Sequence, residues 1–198
     1  MIQELLQFIS QCPTAFHAAA LLRQRLEAEG YHNAEEAPLR PGERYYWPIH
    51  TSSLIAFRLP EDAPSGLVIS ASHGDSPCFR VRDLPELRGK YLRLSVERYG
   101  GMLQDSWLDR PLSVAGRILV RTPRGLESRL VDARVPVALI PRVAIHLNRE
   151  ANNGMKYDPA KDLIPLYADG NEAGDFTDMI AELGGCAKDD LAATDLLL

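Results

Sequence analysis

The sequence predicts an α/β fold in which part of an α/β layer is followed by a β-rich region, and three observations predict it. Up to Gly30 the apolar residues fall at helical spacing, whereas from Tyr91 onward they alternate with polar ones. Between these stretches lies Leu67-Val68-Ile69, a short apolar run carried on by Ser70, Ala71 and Ser72 and broken by His73-Gly74-Asp75-Ser76-Pro77. Such a run reads as a buried strand that ends in a loop.

Taken in order, Ile2, Leu5, Leu6 and Ile9 form one stripe of a first helix, with Gln3, Glu4 and Gln7 opposite. Pro13-Thr14 interrupts it, and Thr14 can cap a second helix through Leu26, with Phe16, Ala19, Leu22 and Leu26 on one face and Gly30 as its stop. A polar stretch broken by Pro38 and Pro41 follows. Tyr45–Trp47 and Ser53–Leu59 then read as two short strands, with Ile55, Phe57 and Leu59 on one side of the second.

The texture changes near residue 78. In Tyr91–Glu97, Leu92, Leu94 and Val96 alternate with Arg93, Ser95 and Glu97, as in an antiparallel strand solvated on one face. Leu112–Arg121 and Leu126–Val131 flank Thr122-Pro123-Arg124-Gly125, a four-residue hairpin turn. Short apolar pieces, Pro136–Ile140 and Val143–Leu147, lie on either side of Pro141. Phe176–Leu183 reads as a short helix stopped by Gly184-Gly185, Asp189 or Asp190 can start another turn, and Leu196-Leu197-Leu198 looks like the opening of a strand.

Composition bounds the function. With 198 residues, 45% of them hydrophobic, the chain can bury a core as one domain or two small ones. A net charge of -5 leaves no basic footprint, which argues against nucleic acid and anionic membrane as partners. No window approaches the roughly 18 apolar residues of a membrane span, and the N-terminus lacks a basic export signal. Three widely spaced cysteines without a C-x-x-C pair suit reduced thiols, so a cytoplasmic location is expected.

The chemistry-bearing candidates are few. In an extended backbone His73 and Asp75 point the same way, so both could address one metal ion or one ligand pair at the end of the strand. A lone H-x-D is common, and a loop histidine beside a turn-capping Asp-Ser-Pro is the competing reading. Cys78 reads as a small buried hydrophobe more readily than as a ligand. His17 reads as a surface or interhelix residue, and His146, between Ile145 and Leu147, as a core or edge residue. Trp107-Leu108-Asp109-Arg110-Pro111 suggests an Asp–Arg pair under a packed tryptophan.

Longer blocks carry more. The series SHGDSPCFRV, VERYGGMLQDSWLDRPLSVAGRILVR and GLESRLVDARVPVALIPRVAIHLNRE closely resembles the aspartyl aminopeptidases, metallopeptidases activated by zinc or cobalt that remove N-terminal acidic residues from peptides. The blocks occur in the family's order, and the resemblance covers nearly the whole chain, from the N-terminal helix to the final leucines. The resemblance implies an α/β peptidase domain begun by residues 1–77, interrupted by a β-rich dimerisation domain over 78–188, with 189–198 starting the return. It implies two zinc ions in the full-length family, with cobalt or manganese as alternatives. Within it His73 falls on a metal ligand and Asp75 on the catalytic-site carboxylate that orients it. His146 falls on a histidine described as a metal ligand or as a contribution from the neighbouring subunit, which reverses the reading from its local sequence.

Gly74 stands where the family usually has threonine, which removes a hydroxyl but no ligand. The family's bridging aspartate, its paired glutamates and its late histidine have no counterpart before Leu198. The expectation is therefore an N-terminal portion of an aminopeptidase, inactive alone, that takes a peptide substrate and self-associates through its β-rich part. A catalytically inactive assembly fragment is the alternative.

Overall fold

The computed structural model describes residues 2–62, 66–170 and 174–198 and divides into two compact units, Met1–Ser76 and Pro77–Leu198. The first unit opens with helix α1 (Ile2–Ser10), whose stripe Ile2, Leu5, Leu6 and Ile9 is exposed. Helix α2 (Ala15–Ala28) begins where Thr14 predicts: the Thr14 hydroxyl accepts from the His17 backbone N–H and lies 2.9 Å from its Nδ1. It ends on Gly30, whose φ of 79° is open to glycine without strain. There the Tyr31 N–H reaches the Leu26 carbonyl (2.9 Å) and the Gly30 N–H reaches that of Glu27 (3.0 Å), satisfying two carbonyls that the helix leaves over.

A three-stranded sheet follows, in the order β1 (His32–Asn33), β2 (Arg44–Ile49), β3 (Ser53–Arg58). β1 is parallel to β2, and β2 pairs antiparallel with β3 in a register that sets Tyr45 opposite Phe57. Tyr45 and Tyr46 are both buried, so each hydroxyl needs a partner. Tyr46 donates to Glu27 Oε1 at 2.6 Å and ties the sheet to α2; burial, then this carboxylate, push its phenol up to about 12. The expected strand at Leu67–Ile69 is absent. These residues are 82%, 97% and 77% exposed and pair with nothing among the described residues, because a central strand exists only when neighbours flank it.

The second unit is an eight-stranded sheet. In chain order its strands are β4 (Cys78–Leu87), β5 (Tyr91–Tyr99), β6 (Pro111–Leu112), β7 (Ala115–Thr122), β8 (Gly125–Asp132), β9 (Ala138–Leu139), β10 (Leu166–Asp169) and β11 (Leu191–Leu197). Their spatial order is β6-β9-β10-β5-β4-β11-β7-β8, and the ladders are antiparallel. Two helices complete it, the short α3 (Pro159–Asp162) and α4 (Phe176–Leu183). The core unites Phe79 and Val81 of β4, Leu94 of β5, Ile118 of β7 and Leu196 of β11 with Phe176 and Ile180 of α4.

Alternation at Tyr91, the Thr122–Gly125 hairpin and the Phe176–Leu183 helix all appear as the sequence predicts. β4 is a strand that the sequence reading passed over, because Pro85 and four charged residues obscure the inward pair Phe79 and Val81. Residues 191–197 form β11, which pairs with β7 from Leu191↔Val120 to Leu197↔Ala115. Leu196 and Leu197 lie inside that strand, which has already begun at Leu191.

Candidate functional site

His73 and Asp75 lie in the irregular stretch that closes the first unit. Gly74 between them has open space where a side chain would begin, so the two side chains approach without obstruction. His73 Nδ1 lies 3.0 Å from Asp75 Oδ1. An ionised carboxylate only accepts, so Nδ1 carries the hydrogen in this contact, and the neutral imidazole in that tautomer offers its lone pair at Nε2. The His73 side chain is 94% exposed and that of Asp75 35%. A metal-ligating histidine is ordinarily oriented in this way, one nitrogen held by a carboxylate and the other offered to the ion.

Among the described residues no group of three or more His, Cys, Asp or Glu could hold a metal ion. A catalytic zinc takes about three protein ligands and keeps one position for water. The pair therefore fits one ligand and its orienting partner, and it does not by itself make a centre. Cys78 is buried at the start of β4, as a small hydrophobe would be.

His146 belongs to the second unit and sits in a turn closed by the Leu147 N–H on the Ala144 carbonyl (2.9 Å). The core or edge position read from its neighbours is overturned. His146 is exposed, and so are Val143 (52%), Ile145 (45%) and Leu147 (80%), because they ride on a loop that leaves the sheet after β9. Beside this loop is a cleft of about 270 Å³ lined in part by Arg93, Arg142, Val143, Met155, Tyr157 and Lys161.

The base of the loop is held by residues to which the sequence reading gave no such task. Asp109 does not pair with Arg110. Its Oδ1 accepts the Arg142 backbone N–H at 2.8 Å, and its other oxygen lies 3.6 Å from the Arg142 guanidinium. Arg142 also reaches Asp105 Oδ1 at 2.9 Å, and that oxygen accepts the Tyr157 hydroxyl at 2.8 Å. Tyr157 first and Arg142 second hold the Asp105 carboxyl below the usual range, and Asp105 in turn raises both partners. Trp107 does pack, edge-on against Phe79 with ring centroids 5.0 Å apart. Nothing local in the sequence joins Asp105 or Asp109 to Arg142, since the contact is made by the fold.

The family model for aminopeptidase I zinc metalloproteases (M18) matches residues 8–198. A probable M18 family aminopeptidase 2 from Azotobacter vinelandii is 46% identical over 188 residues, covering 91% of this chain and 44% of the relative. Among solved structures, mApe1 of Chaetomium thermophilum superposes with a TM-score of 0.84 at 26% identity, over 98% of this chain and 49% of that one. The S. cerevisiae mApe1 dodecamer superposes at 0.80 and 22% identity, over 98% and 47%, a likeness of fold. The chain thus spans about half the length of the proteins it matches.

Proposed function

The chain belongs to the M18 family of aminopeptidase I zinc metalloproteases, and on that premise we propose that it is the N-terminal part of a metal-dependent aminopeptidase that removes Asp or Glu from peptide N-termini. The observation that supports this reading is the 3.0 Å contact of His73 Nδ1 with Asp75 Oδ1, the arrangement in which a carboxylate ordinarily orients a metal-ligating imidazole. In it His73 is a metal ligand and Asp75 the carboxylate that holds it. A zinc bound there, with cobalt or manganese as substitutes and a second ion beside it, would polarise the scissile carbonyl and activate water.

His146 is the third site residue of the proposal. Its turn is flanked by exposed Val143, Ile145 and Leu147, and apolar side chains grouped at a loop tip suit insertion into another protein surface. That supports a histidine delivered to a neighbouring subunit, and a homo-oligomer built through the β-rich unit. The dodecameric state of the S. cerevisiae relative is in keeping with it. No helix among the described residues is long and apolar enough to cross a membrane, which accords with the proposed cytoplasmic location.

One imidazole cannot complete a zinc centre, so the 198-residue chain is proposed to be inactive alone. The exposed stripe of α1 and the run Leu67–Ile69 support this, as surfaces suited to a further layer of the α/β domain. A second reading, an assembly fragment without catalysis, is favoured by the same shortage of ligands. An aminopeptidase assay on acidic and neutral N-terminal substrates separates the two. The full-length protein should release Asp and Glu and lose activity with chelator, and the 198-residue chain should release nothing; an inert full-length protein supports the second reading. Sedimentation should show a dimer or larger species, and a 22.0 kDa monomer would count against self-association.

A further inference from the structure

The loop between β9 and α3 has to hold His146 without regular structure of its own over residues 141–158. An exposed turn of this kind samples many conformations unless something outside it restrains its ends. Its two ends are in fact restrained, and by the same carboxylate. Asp105 Oδ1 takes the Arg142 guanidinium at the start of the loop and the Tyr157 hydroxyl at its finish. Asp109, held at a φ of 57°, receives the Arg142 backbone N–H, while its own N–H donates to the Ile140 carbonyl at 2.9 Å. A non-glycine residue in that left-handed region is uncommon, and its cost is met here by the two bonds it makes to the loop base.

We infer that Asp105 and Asp109 are positioning residues for His146: by clamping Arg142 and Tyr157 they fix the mouth of the loop and so the turn on which the imidazole is carried. The inference rests on the reading of His146 as a site residue. It assigns a task to the Gln104–Asp109 stretch, which binds both ends of the loop that carries His146. Individually such exposed ion pairs hold little, and the side chains of Asp105 and Asp109 are 65% and 58% exposed. Their value is geometric, since a reacting group displaced by about 1 Å can lose on the order of 100-fold in rate.

The test uses the full-length protein and two readouts. Asp109→Ala should lower kcat/KM on an N-terminal Asp peptide by roughly 100-fold, with bound zinc unchanged. Asp109→Asn keeps an oxygen for the Arg142 N–H and should recover most of the loss. In a His146→Ala background Asp109→Ala should cost nothing more, because a positioning residue has no task once its target is gone. Full activity in Asp109→Ala, or losses that simply add to those of His146→Ala, would overturn the inference. Hydrogen exchange is the second readout: the peptide spanning 141–149 should exchange faster in Asp109→Ala and the α4 peptide at its usual rate. Should the protein prove not to be a peptidase, the exchange result still decides whether the clamp orders the loop, and unchanged exchange at 141–149 would overturn it.

Discussion

Glu86, late in β4, accepts hydrogen bonds from both the backbone N–H and the hydroxyl of Thr177 in the first turn of α4, at 3.2 and 3.3 Å. Asp175 occupies the position from which a helix is normally capped, yet its side chain makes no capping bond; it pairs with Lys188 at 2.5 Å and with Arg88. A helix leaves its first N–H groups without internal partners, and here the sheet supplies one. Replacing Glu86, whose side chain is only 15% exposed, by alanine should therefore cost about 1 kcal/mol, the typical worth of a cap. Urea unfolding would register it as a lower midpoint, and an unchanged midpoint would show that the cap contributes nothing.

Asp175 also makes stability depend on pH. Lys188 first and Arg88 second hold its carboxyl below the usual carboxylate range. A carboxylate whose folded pKa is depressed adds stability above its unfolded pKa and loses it as pH falls through the folded value. Acid should thus weaken the native protein below the ordinary carboxylate range, with Asp105 and Glu127, both also lowered by their partners, acting in the same direction. In Asp175→Asn the acid limb of a stability-against-pH curve should flatten. Superimposable curves for the two proteins would remove Asp175 from the account.

Gly116 tests the placement of β11. It faces Leu196 in the ladder, and a Cβ on it would collide with the Asp195 carbonyl oxygen and lie 2.9 Å from the Leu196 Cα. Gly116→Ala should force the two strands apart and cost about 1 to 3 kcal/mol. A variant as stable as the native protein would mean that β7 and β11 are not so closely paired.

What the sequence made legible was local. Thr14, Gly30, the Thr122–Gly125 turn and the Gly184-Gly185 stop each act within a few residues, and each falls where its chemistry places it. The His73–Asp75 contact was equally local, because two side chains on one side of an extended chain meet whatever the rest does. Nonlocal pairing was another matter. Leu67–Ile69 has the composition of a buried strand but no neighbours among the described residues, and β4 hides its inward pair behind Pro85. Nor does anything near Asp109 in sequence announce that it will bind Arg142, since β9 must pair with β6 and β10 before the two are brought together.

The central claim, that His73 is a metal ligand oriented by Asp75, is tested most directly by the zinc content of the full-length protein and its His73→Ala variant, measured by atomic emission after exhaustive dialysis. The account predicts that His73→Ala loses one zinc per subunit together with the release of N-terminal Asp, while Asp75→Asn, which leaves the imidazole in place, lowers metal affinity or activity by about 10 to 100-fold. A His73→Ala protein that keeps the native zinc stoichiometry would contradict it.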